Sequence, residues 1–381
     1  MTPRADDQWV LTLGSETTSL DGKRIPLKAD DRNQMSGEYP YYGASGIIDH
    51  IDKYLFDETL LLLAEDGANI VNRSTPVAFL ASGRFWVNNH AHVYRPKGDP
   101  VFLENALEPI DFVPFNTGTT MPKLNAQTCS SIPLYVPSKE EQGKIGDFLG
   151  TVDAKLDALR RKKSGLEVFK SGLMQLLFSQ ELRFVRDDGT DFPDWEEKAL
   201  GELGSFSKGK GISKSDITED GELPCIRYGE IYTHYNERIT EIASHTDVSP
   251  SSLTLSQIND VIIPASGETP IDMARACCVL VPGVALGGDI NIFRSPVNGE
   301  YLAYLLTNAR RTEIAQMAQG NSVVHLYPAQ LRQIVIPVPH PDEQRKIAET
   351  LSALDAKIAA VADQITHMET FKKGLLQQMF V

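Results

Sequence analysis

Apolar residues recur at every seventh position along two long stretches of this chain, with mostly polar residues between them. In the first stretch the recurring residues are Ile145, Val152, Leu159, Leu166 and Leu173, with Leu149 and Leu156 as companions four positions on. In the second stretch they are Ile347, Leu354, Val361, Met368 and Leu375, with Leu351 and Ile358 as companions. Such a heptad pattern predicts a long helix whose apolar seam faces another helix.

The two stretches are copies of one another. Residues 132–179 align without a gap onto residues 334–381, and more than a third of the paired positions are identical. Ser138 and Glu141 form a capping box at the start of the first helix, and Pro341 suits the first position of the second. A single amphipathic helix more often packs only on its own domain. Two copies with matching seams favour pairing of the helices with each other.

The remaining segments contain short β-rich runs, such as residues 59–63 and 87–94, bounded by Gly, Pro and Asn. The sequence "LGGDINIFR" in the second segment is similar to "VNNHAHVYR" in the first, whereas the loops between such similar stretches differ in sequence. This pattern is typical of two copies of one scaffold with different recognition surfaces. It predicts a mixed α/β fold with two α/β domains, two long helices and an internal pseudo-twofold repeat.

The predicted segments are a first domain at 1–131, a helical segment at 132–179, a linker at 180–194, a second domain at 195–333 and a second helical segment at 334–381.

The net charge of −14 argues, at face value, against a nucleic-acid-binding protein. The acidic excess is concentrated outside the repeated helices: residues 1–131 carry −6 and residues 179–333 carry −9, counting Lys and Arg against Asp and Glu. If these domains contact DNA, they must use local basic faces, and other subunits must supply part of the attraction to the phosphate backbone.

The sequence also indicates a compartment. The first residues lack an apolar core flanked by basic residues, and no uninterrupted apolar run reaches about 18 residues, so neither a signal peptide nor a membrane span is expected. Cys129, Cys225, Cys277 and Cys278 show no C-x-x-C spacing. We therefore expect a cytoplasmic protein with reduced thiols, no membrane contact and no bound metal.

Several patterns approach catalytic motifs without completing them. Gly204 and Gly209-Lys210 have P-loop spacing, but Gly211 stands where Ser or Thr would hold magnesium. The segment "GASGI" lacks the final glycine of a nucleophile elbow. His90 and His92 have no evident third metal ligand, and the second copy has Asp289 and Asn291 there, so polar readout or plain surface is the interpretation for these four residues. No dinucleotide fingerprint and no Asn-Pro-Pro-aromatic methyltransferase motif occurs, and no catalytic residue or cofactor site is predicted.

The chain resembles the specificity subunit of type I restriction–modification systems. The resemblance covers nearly the whole chain, and its most specific parts are "EEQGKIGDFLGTVDAKLDAL", "DEQRKIAETLSALDAKIAAV", "GSFSKGKGI" and "VNNHAHVYRP". It implies two target-recognition domains, each reading one half of a split site in double-stranded DNA, and two central helices paired as an antiparallel coiled coil. The strong negative charge of the second domain departs from expectation for an isolated DNA-binding protein.

The resemblance also implies partners. Similar proteins bind two methyltransferase subunits, which carry S-adenosylmethionine, and can recruit two restriction/translocase subunits, which use ATP and magnesium. This chain is then expected to bind no cofactor itself. Its helices would dock the methyltransferase subunits and set the unread spacer between the half-sites.

Candidate DNA contacts lie in loops that are equivalent in the two domains and differ in sequence. In the first domain they are Lys23, Arg24, Tyr41, Tyr42, Ser45, Asn88, Asn89 and His90. In the second domain they are Lys208, Lys210, Lys214, Arg227, Tyr228, Tyr232 and Asn321. Lysines suit phosphates, and Arg227, Asn88 and Asn89 have donor patterns suited to base edges.

Three alternatives remain open from the sequence alone. The tyrosines of "YPYYGASG" either lie in an exposed loop that faces bases or pack on the core. The basic run "RRKK" at 160–163 is either a solvated helix face or lies near phosphates of the spacer. The whole protein is either the DNA-reading subunit or a coiled-coil scaffold that joins proteins without touching DNA, and the scaffold would explain the acidity better.

Overall fold

The computed structural model describes residues 10–318 and 324–380. The chain divides into two compact units, of which unit 1 comprises Met1–Lys162 with Val361–Val381 and unit 2 comprises Lys163–Ala360. Each unit therefore contains one of the two predicted α/β domains and one part of each long helix.

The domain of unit 1 is built from short strands and helices. Its strands are β1 (Val10–Thr12), β2 (Thr17–Ser19), β3 (Ser36–Gly43), β4 (Gly46–Ile51), β5 (Phe56–Asp57), β6 (Leu60–Ala64), β7 (Ala78–Ala81), β8 (Arg84–Val87), β9 (Ala91–Pro96) and β10 (Pro133–Tyr135). Its helices are α1 (Leu13–Glu16), α2 (Ala29–Asn33), α3 (Asn69–Asn72), α4 (Pro100–Leu107) and α5 (Ala126–Ser130), followed by the long helix α6 (Lys139–Phe178).

Two four-stranded sheets form the body of this domain, in the orders β2-β9-β6-β7 and β4-β3-β8-β5, and β1 pairs separately with β10. All pairings are antiparallel except β3 with β8, which is parallel. Every residue of β6 is buried, which explains why its sequence is an unbroken apolar run. The prediction of one strand over residues 87–94 is wrong, because a turn at Asn89 and His90 separates β8 from β9.

Unit 2 repeats this plan. Its strands are β11 (Glu196–Ala199), β12 (Ser205–Lys208), β13 (Ile217–Thr218), β14 (Leu223–Ile226), β15 (Arg238–Ile239), β16 (Ser244–Thr246), β17 (Thr254–Leu255), β18 (Asp260–Pro264), β19 (Ser266–Gly267), β20 (Cys277–Val279), β21 (Ala285–Leu286), β22 (Ile290–Arg294), β23 (Val324–His325) and β24 (Val335–Val338). Its helices are α7 (Leu200–Leu203), α8 (Tyr228–Thr233), α9 (Pro270–Met273), α10 (Gly299–Asn308), α11 (Arg311–Met317), α12 (Pro328–Leu331) and the long helix α13 (Pro341–Phe380).

The sheets of unit 2 correspond to those of unit 1. The order β12-β22-β18-β20 matches β2-β9-β6-β7, with β15 added at the edge beside β20, and the parallel pair β14-β21 matches β3-β8. The pair β11-β24 likewise matches β1-β10. The four cysteines are free thiols, and all four are buried.

Helices α6 and α13 are each 40 residues long. The backbone amide of Glu141 donates to Ser138 Oγ at 3.3 Å, and Pro341 begins α13, as the sequence predicted. In unit 1, Asp153 and Arg160 of α6 contact Lys372 and Glu369 of α13, so the two helices run antiparallel. The predicted fold class, with two α/β domains and an antiparallel pair of long helices, is confirmed.

The predicted seam positions are buried or half-buried. The buried ones are Leu149, Val152, Leu156, Leu159, Ile347, Leu351, Leu354 and Val361, and the half-buried ones are Ile145, Leu166, Leu173, Ile358, Met368 and Leu375. Toward the carboxyl-terminal ends of α6 and α13, the buried side chain lies one residue after the predicted position. It is Met174 rather than Leu173 in α6 and Leu376 rather than Leu375 in α13. A straight helix has 3.6 residues per turn and drifts relative to a strict heptad, so the inward face changes over several turns.

The segment predicted as a linker, residues 180–194, contains turns and one isolated bridge between Val185 and Asp191. It is anchored to the start of α13, because the Arg183 guanidinium pairs at 2.9 Å with the fully buried carboxylate of Glu343. Among the residues that the structure describes, no helix has an apolar stretch long enough to cross a membrane.

Candidate nucleic-acid interface

Two of the loops singled out from the sequence of the first domain lie side by side. They follow the parallel strands β3 and β8, in which Tyr42 is the register partner of Val87. The backbone amide of Asn88 donates to the Tyr42 carbonyl at 3.1 Å and so joins the two loops where the strands end. Residues far apart in sequence thus form one surface in unit 1.

Four of the predicted contacts in unit 1 are exposed, namely Lys23, Ser45, Asn89 and His90, and the last three lie in the two loops that form this surface. His90 is held by Asp66, whose carboxylate lies 2.8 Å from Nδ1. Asn88 is buried, and its Oδ1 accepts the backbone amide of His90 at 2.7 Å. Asn88 therefore shapes the turn, and Asn89 and His90 are the side chains that the turn presents.

The tyrosines of the first domain pack on its core. Tyr41 is 1% exposed in β3, and its hydroxyl accepts the Leu27 amide at 3.0 Å. Tyr42 is half-buried, with its ring centroid 5.6 Å from that of Phe85, and burial raises the pKa of its hydroxyl. The interpretation of this stretch as an exposed aromatic loop is wrong for these two residues, because the core alternative describes their environment.

Arg24 and His92 belong to a buried ionic cluster. The Arg24 guanidinium donates to Glu65 at 2.7 Å and to the Ala91 carbonyl at 2.8 Å. His92 lies 2.6 Å from Asp21 through Nδ1 and 2.8 Å from the Leu124 carbonyl through Nε2. Because both ring nitrogens face acceptors, the ring suits the doubly protonated form.

The environment of His92 strongly raises the pKa of its imidazole. Burial alone lowers the pKa of His92, but the hydrogen bond to Asp21 and the other contacts raise it to about 10. The interpretation of His92 as a surface or readout residue is wrong. The interpretation of Asn291 as a surface or readout residue is also wrong, because its side chain is fully buried in the second domain and donates to the Leu326 carbonyl at 2.9 Å.

The second domain has the same loop arrangement with different residues. Here the parallel strands are β14 and β21, and the Gly287 amide donates to the Ile226 carbonyl at 2.9 Å. The Gly288 amide donates to the Gly211 carbonyl at 2.9 Å, which brings in a third loop. Three exposed lysines surround this surface, namely Lys208, Lys210 and Lys214. Lys208 Nζ lies 5.8 Å from the ring centroid of Tyr327.

Arg227 and the two tyrosines that follow it lie directly after β14. Tyr228 is 37% exposed, Tyr232 is half-buried, and their ring centroids are 6.4 Å apart. The guanidinium of Arg227 donates through Nη2 to Glu230 at 3.0 Å. The predicted contact at Asn321 lies outside the described residues.

Glu230 is the residue of this site that sequence reasoning missed. The signal was present as the spacing of Arg227 and Glu230, which places a glutamate at the third position of a helix that begins after Arg227. The corresponding signal in the first domain, Asp66 as the partner of His90, is a long-range contact that no local pattern reveals.

The basic run on α6 is partly neutralised by neighbouring carboxylates. In unit 1, Arg160 pairs with Glu369 at 2.7 Å and with Asp157 at 3.6 Å. In unit 2, Lys163 pairs with Glu167 at 3.2 Å. Arg161 and Lys162 are exposed, so they are the members of the run best placed to meet phosphates.

A family model described as "Type I restriction modification DNA specificity domain" matches residues 14–168 and 193–369. A Haemophilus influenzae protein named as a putative type I restriction enzyme specificity subunit is 24% identical, with 90% of this chain and 86% of that protein covered. The MjaVIII type I specificity subunit of Methanocaldococcus jannaschii is 22% identical, with 98% and 92% covered.

Two solved structures have a similar fold. The S subunit of a type I restriction–modification system from M. genitalium has a TM-score of 0.65 and 17% identity, with 100% of this chain and 99% of that chain covered. A chain from a study of complex assembly in a type I system has a TM-score of 0.52 and 17% identity, with 100% and 98% covered.

Proposed function

The chain belongs to the family of type I restriction–modification DNA specificity domains, and we propose that it is the specificity subunit that selects the DNA sequence for such a complex. Each domain reads one half of a bipartite, asymmetric site. The observation that carries this proposal is the paired loop surface at the end of β3 and β8 in one domain and of β14 and β21 in the other. The two domains share the backbone framework of this surface but differ in the side chains that it presents.

The side chains at the two surfaces suit different contacts. The first domain presents the amide of Asn89 and the imidazole of His90, whereas the second presents the Arg227 guanidinium and three lysines. Amide and guanidinium groups pair with base edges in the major groove, and ammonium groups bind phosphates. Two surfaces of different chemistry account for two unlike half-sites.

The chain is a non-catalytic subunit, and its partners supply the chemistry. We propose two methyltransferase subunits, which bring S-adenosylmethionine, as partners docked on α6 and α13, and two ATP- and magnesium-dependent restriction subunits as further partners. Partner subunits would also add phosphate contacts that an acidic chain lacks. The alternative of a scaffold that never touches DNA gains no support from the family membership.

The test is to coexpress the chain with its methyltransferase subunit and to sequence the methylated DNA. We expect a bipartite motif, with steep loss of DNA binding as salt increases, because each neutralised phosphate releases counterions. Arg227→Ala should relax one half-site and leave the other intact, with Arg311→Ala, an exposed arginine of α11, as the matched control. A methylation pattern without a bipartite motif contradicts the proposal.

A further inference from the structure

In the second domain, the buried carboxylate of Glu230 contacts the guanidinium of Arg227 at the candidate DNA-binding surface. Glu230 is 8% exposed, yet it accepts three hydrogen bonds. The donors are the backbone amide of Arg227 at 2.9 Å, Nη2 of Arg227 at 3.0 Å and the hydroxyl of Ser244 at 2.6 Å. The capping bond to the backbone amide explains only one of these contacts.

The carboxylate therefore fixes a guanidinium as well as a helix end. A buried charge is costly unless it is paired and hydrogen-bonded, so Glu230 and Arg227 hold each other in place. Ser244, in β16, engages the same Oε1 that accepts Nη2 of Arg227, and this third contact orients the carboxylate. An arginine side chain has several rotatable bonds, and ordering it before binding lowers the entropy cost of a contact.

One part of the guanidinium remains open for another partner. Nη2 of Arg227 donates to Glu230, and Nε is buried without an acceptor among the described residues, so the donors left for another partner are those of Nη1 and the second hydrogen of Nη2. The loop after β21 lies against the backbone of the arginine, since an added Cβ at Gly287 would lie 3.5 Å from the Arg227 Cα. A bidentate pairing of arginine with guanine requires a fixed, planar fork of donors of this kind.

We propose that Glu230, oriented by Ser244, is a positioning residue that holds Arg227 in the geometry for reading one base in the half-site of the second domain. The part of this proposal that concerns base reading rests on the proposed function. The part that concerns the positioning of the Arg227 guanidinium by Glu230 rests on the structure alone. Glu230 acts only through Arg227, so its effect on sequence preference should disappear when the arginine is removed.

The first measurement needs no DNA. The full chain is treated with phenylglyoxal, which modifies accessible guanidinium groups, and labelling at Arg227 is followed by mass spectrometry. Glu230→Gln keeps an acceptor for the helix cap but removes the charge, and it should increase the labelling rate at Arg227 several-fold. Glu202→Gln is the matched control, because Glu202 caps α7 by the same backbone contact at 3.2 Å and has no part in this surface.

The second measurement reads sequence preference in the complex with the methyltransferase subunit. Glu230→Gln should relax the same base position as Arg227→Ala, and the double variant should match Arg227→Ala alone. Ser244→Ala should give a weaker change at that position. Arg227→Lys keeps the charge but loses the fork, so it should behave like Arg227→Ala in preference while retaining affinity.

The outcomes separate the two proposals. Unchanged labelling of Arg227 in Glu230→Gln, or an unchanged motif in a variant whose Arg227 labels faster, overturns the positioning role. If Glu230→Gln fails to fold, Ser244→Ala carries the same two measurements, and its labelling rate and motif must both change. If Arg227 labels faster in Glu230→Gln but the wild-type complex methylates no bipartite motif, the proposed function is wrong and the positioning of the guanidinium by Glu230 stands.

Discussion

The two recognition domains place different chemistry on the same framework contact. In the first domain His92 donates to the Leu124 carbonyl, and in the second Asn291 donates to the Leu326 carbonyl. The histidine also pairs with Asp21 at 2.6 Å. Nδ1 of His92 thus has an anionic partner, whereas Oδ1 of Asn291 has no hydrogen-bond partner among the described residues.

Other framework contacts are alike in both domains. The equivalent arginines Arg95 of β9 and Arg294 of β22 each form two hydrogen bonds with one carboxylate, that of Glu58 before β6 and that of Asp260 at the start of β18. The difference at His92 and Asn291 is therefore local. Both domains place a donor to the same carbonyl here, whereas only the first has a charged partner beside it among the residues that the structure describes.

The largest effect is expected when both donors are replaced by leucine. His92→Leu leaves Asp21 without its closest cation and should lower the free energy of unfolding of the first domain by about 3 kcal/mol. Asn291→Leu leaves only a carbonyl without its donor and should cost the second domain about 1 kcal/mol. Hydrogen exchange followed by mass spectrometry, on peptides from each domain, measures both. Equal losses in the two domains would remove the distinction drawn between them.

A second prediction uses pH to sharpen the comparison. The pKa of His92 is about 10 in the folded chain and near 6.5 in the unfolded chain. Since the folded state binds the proton more tightly, this stability is fully present below about pH 6.5 and is lost as the pH rises toward 10. Hydrogen exchange at pH 6.5, 8 and 9.5 should show a weakening first domain, and the slope should be reduced in His92→Asn.

The carboxylates of the same cluster act in the opposite direction. Burial raises the pKa of Asp21, but the hydrogen bonds from His92 and the Val93 amide, together with the charges of His92 and Arg24, outweigh this, and the pKa lies below its usual value. Burial also raises the pKa of Glu65, but Arg24, His92 and Lys123 together lower it below its usual value. Their contribution is present above the usual carboxylate pKa and is lost in acid. A first domain whose stability rose with pH between 7 and 9.5 would contradict the charged state of His92.

How much of this followed from the sequence depends on the range of the interactions. The long helices, their pairing and Pro341 at the start of α13 were predictable, because heptads and capping residues are local signals repeated in two copies. The burial of Tyr41 and His92 was not, because it depends on strands and turns brought together by the fold. Alternation along β3 does not tell which of its faces meets the core.

The candidate site shows the same limit. Loop positions such as Asn89 and Lys210 were predictable as exposed polar residues beside glycines and turns. Arg24 was selected as a basic loop residue, yet its guanidinium is committed to Glu65, a partner distant in sequence. Glu230 was missed because a capping glutamate gives the same sequence signal whether or not it also holds an arginine.

A third comparison concerns the polar contacts across the helix seam. In unit 2, Lys170 pairs with Asp355 at 2.6 Å, and the Tyr304 hydroxyl donates to the same carboxylate at 2.5 Å. In unit 1 the repeat-equivalent Lys372 pairs with Asp153 at 2.6 Å and lines an open cleft of about 930 Å³. The lysine side chains are 12% and 23% exposed, respectively, so the pair in unit 2 is the better shielded from water.

Replacing each lysine by methionine should therefore have unequal effects. Lys170→Met should destabilise unit 2 by about 2 kcal/mol, and Lys372→Met should destabilise unit 1 by about 1 kcal/mol, because Lys170 is the more buried lysine and also faces the buried carboxylate of Glu237 at 3.7 Å. Tyr304→Phe removes the other donor to Asp355, so in that background the loss from Lys170→Met should increase and the difference between the two units should widen. Hydrogen exchange in the helix segments provides the measurement, and a larger loss for Lys372→Met would reverse the assignment.

The smallest effect is expected at the exposed part of the basic run. Arg161 and Lys162 are free of the pairings that engage Arg160 and Lys163, as far as the described residues extend. The double variant Arg161→Gln with Lys162→Gln should leave stability and the methylated sequence unchanged and should weaken DNA binding equally for every sequence. If both side chains meet phosphates, the slope of log affinity against log salt should fall by about 2. Lys144→Gln, on the exposed face near the start of α6, is the control. An unchanged salt slope in the double variant would assign the run to solvent, because a phosphate contact cannot be removed without releasing fewer counterions.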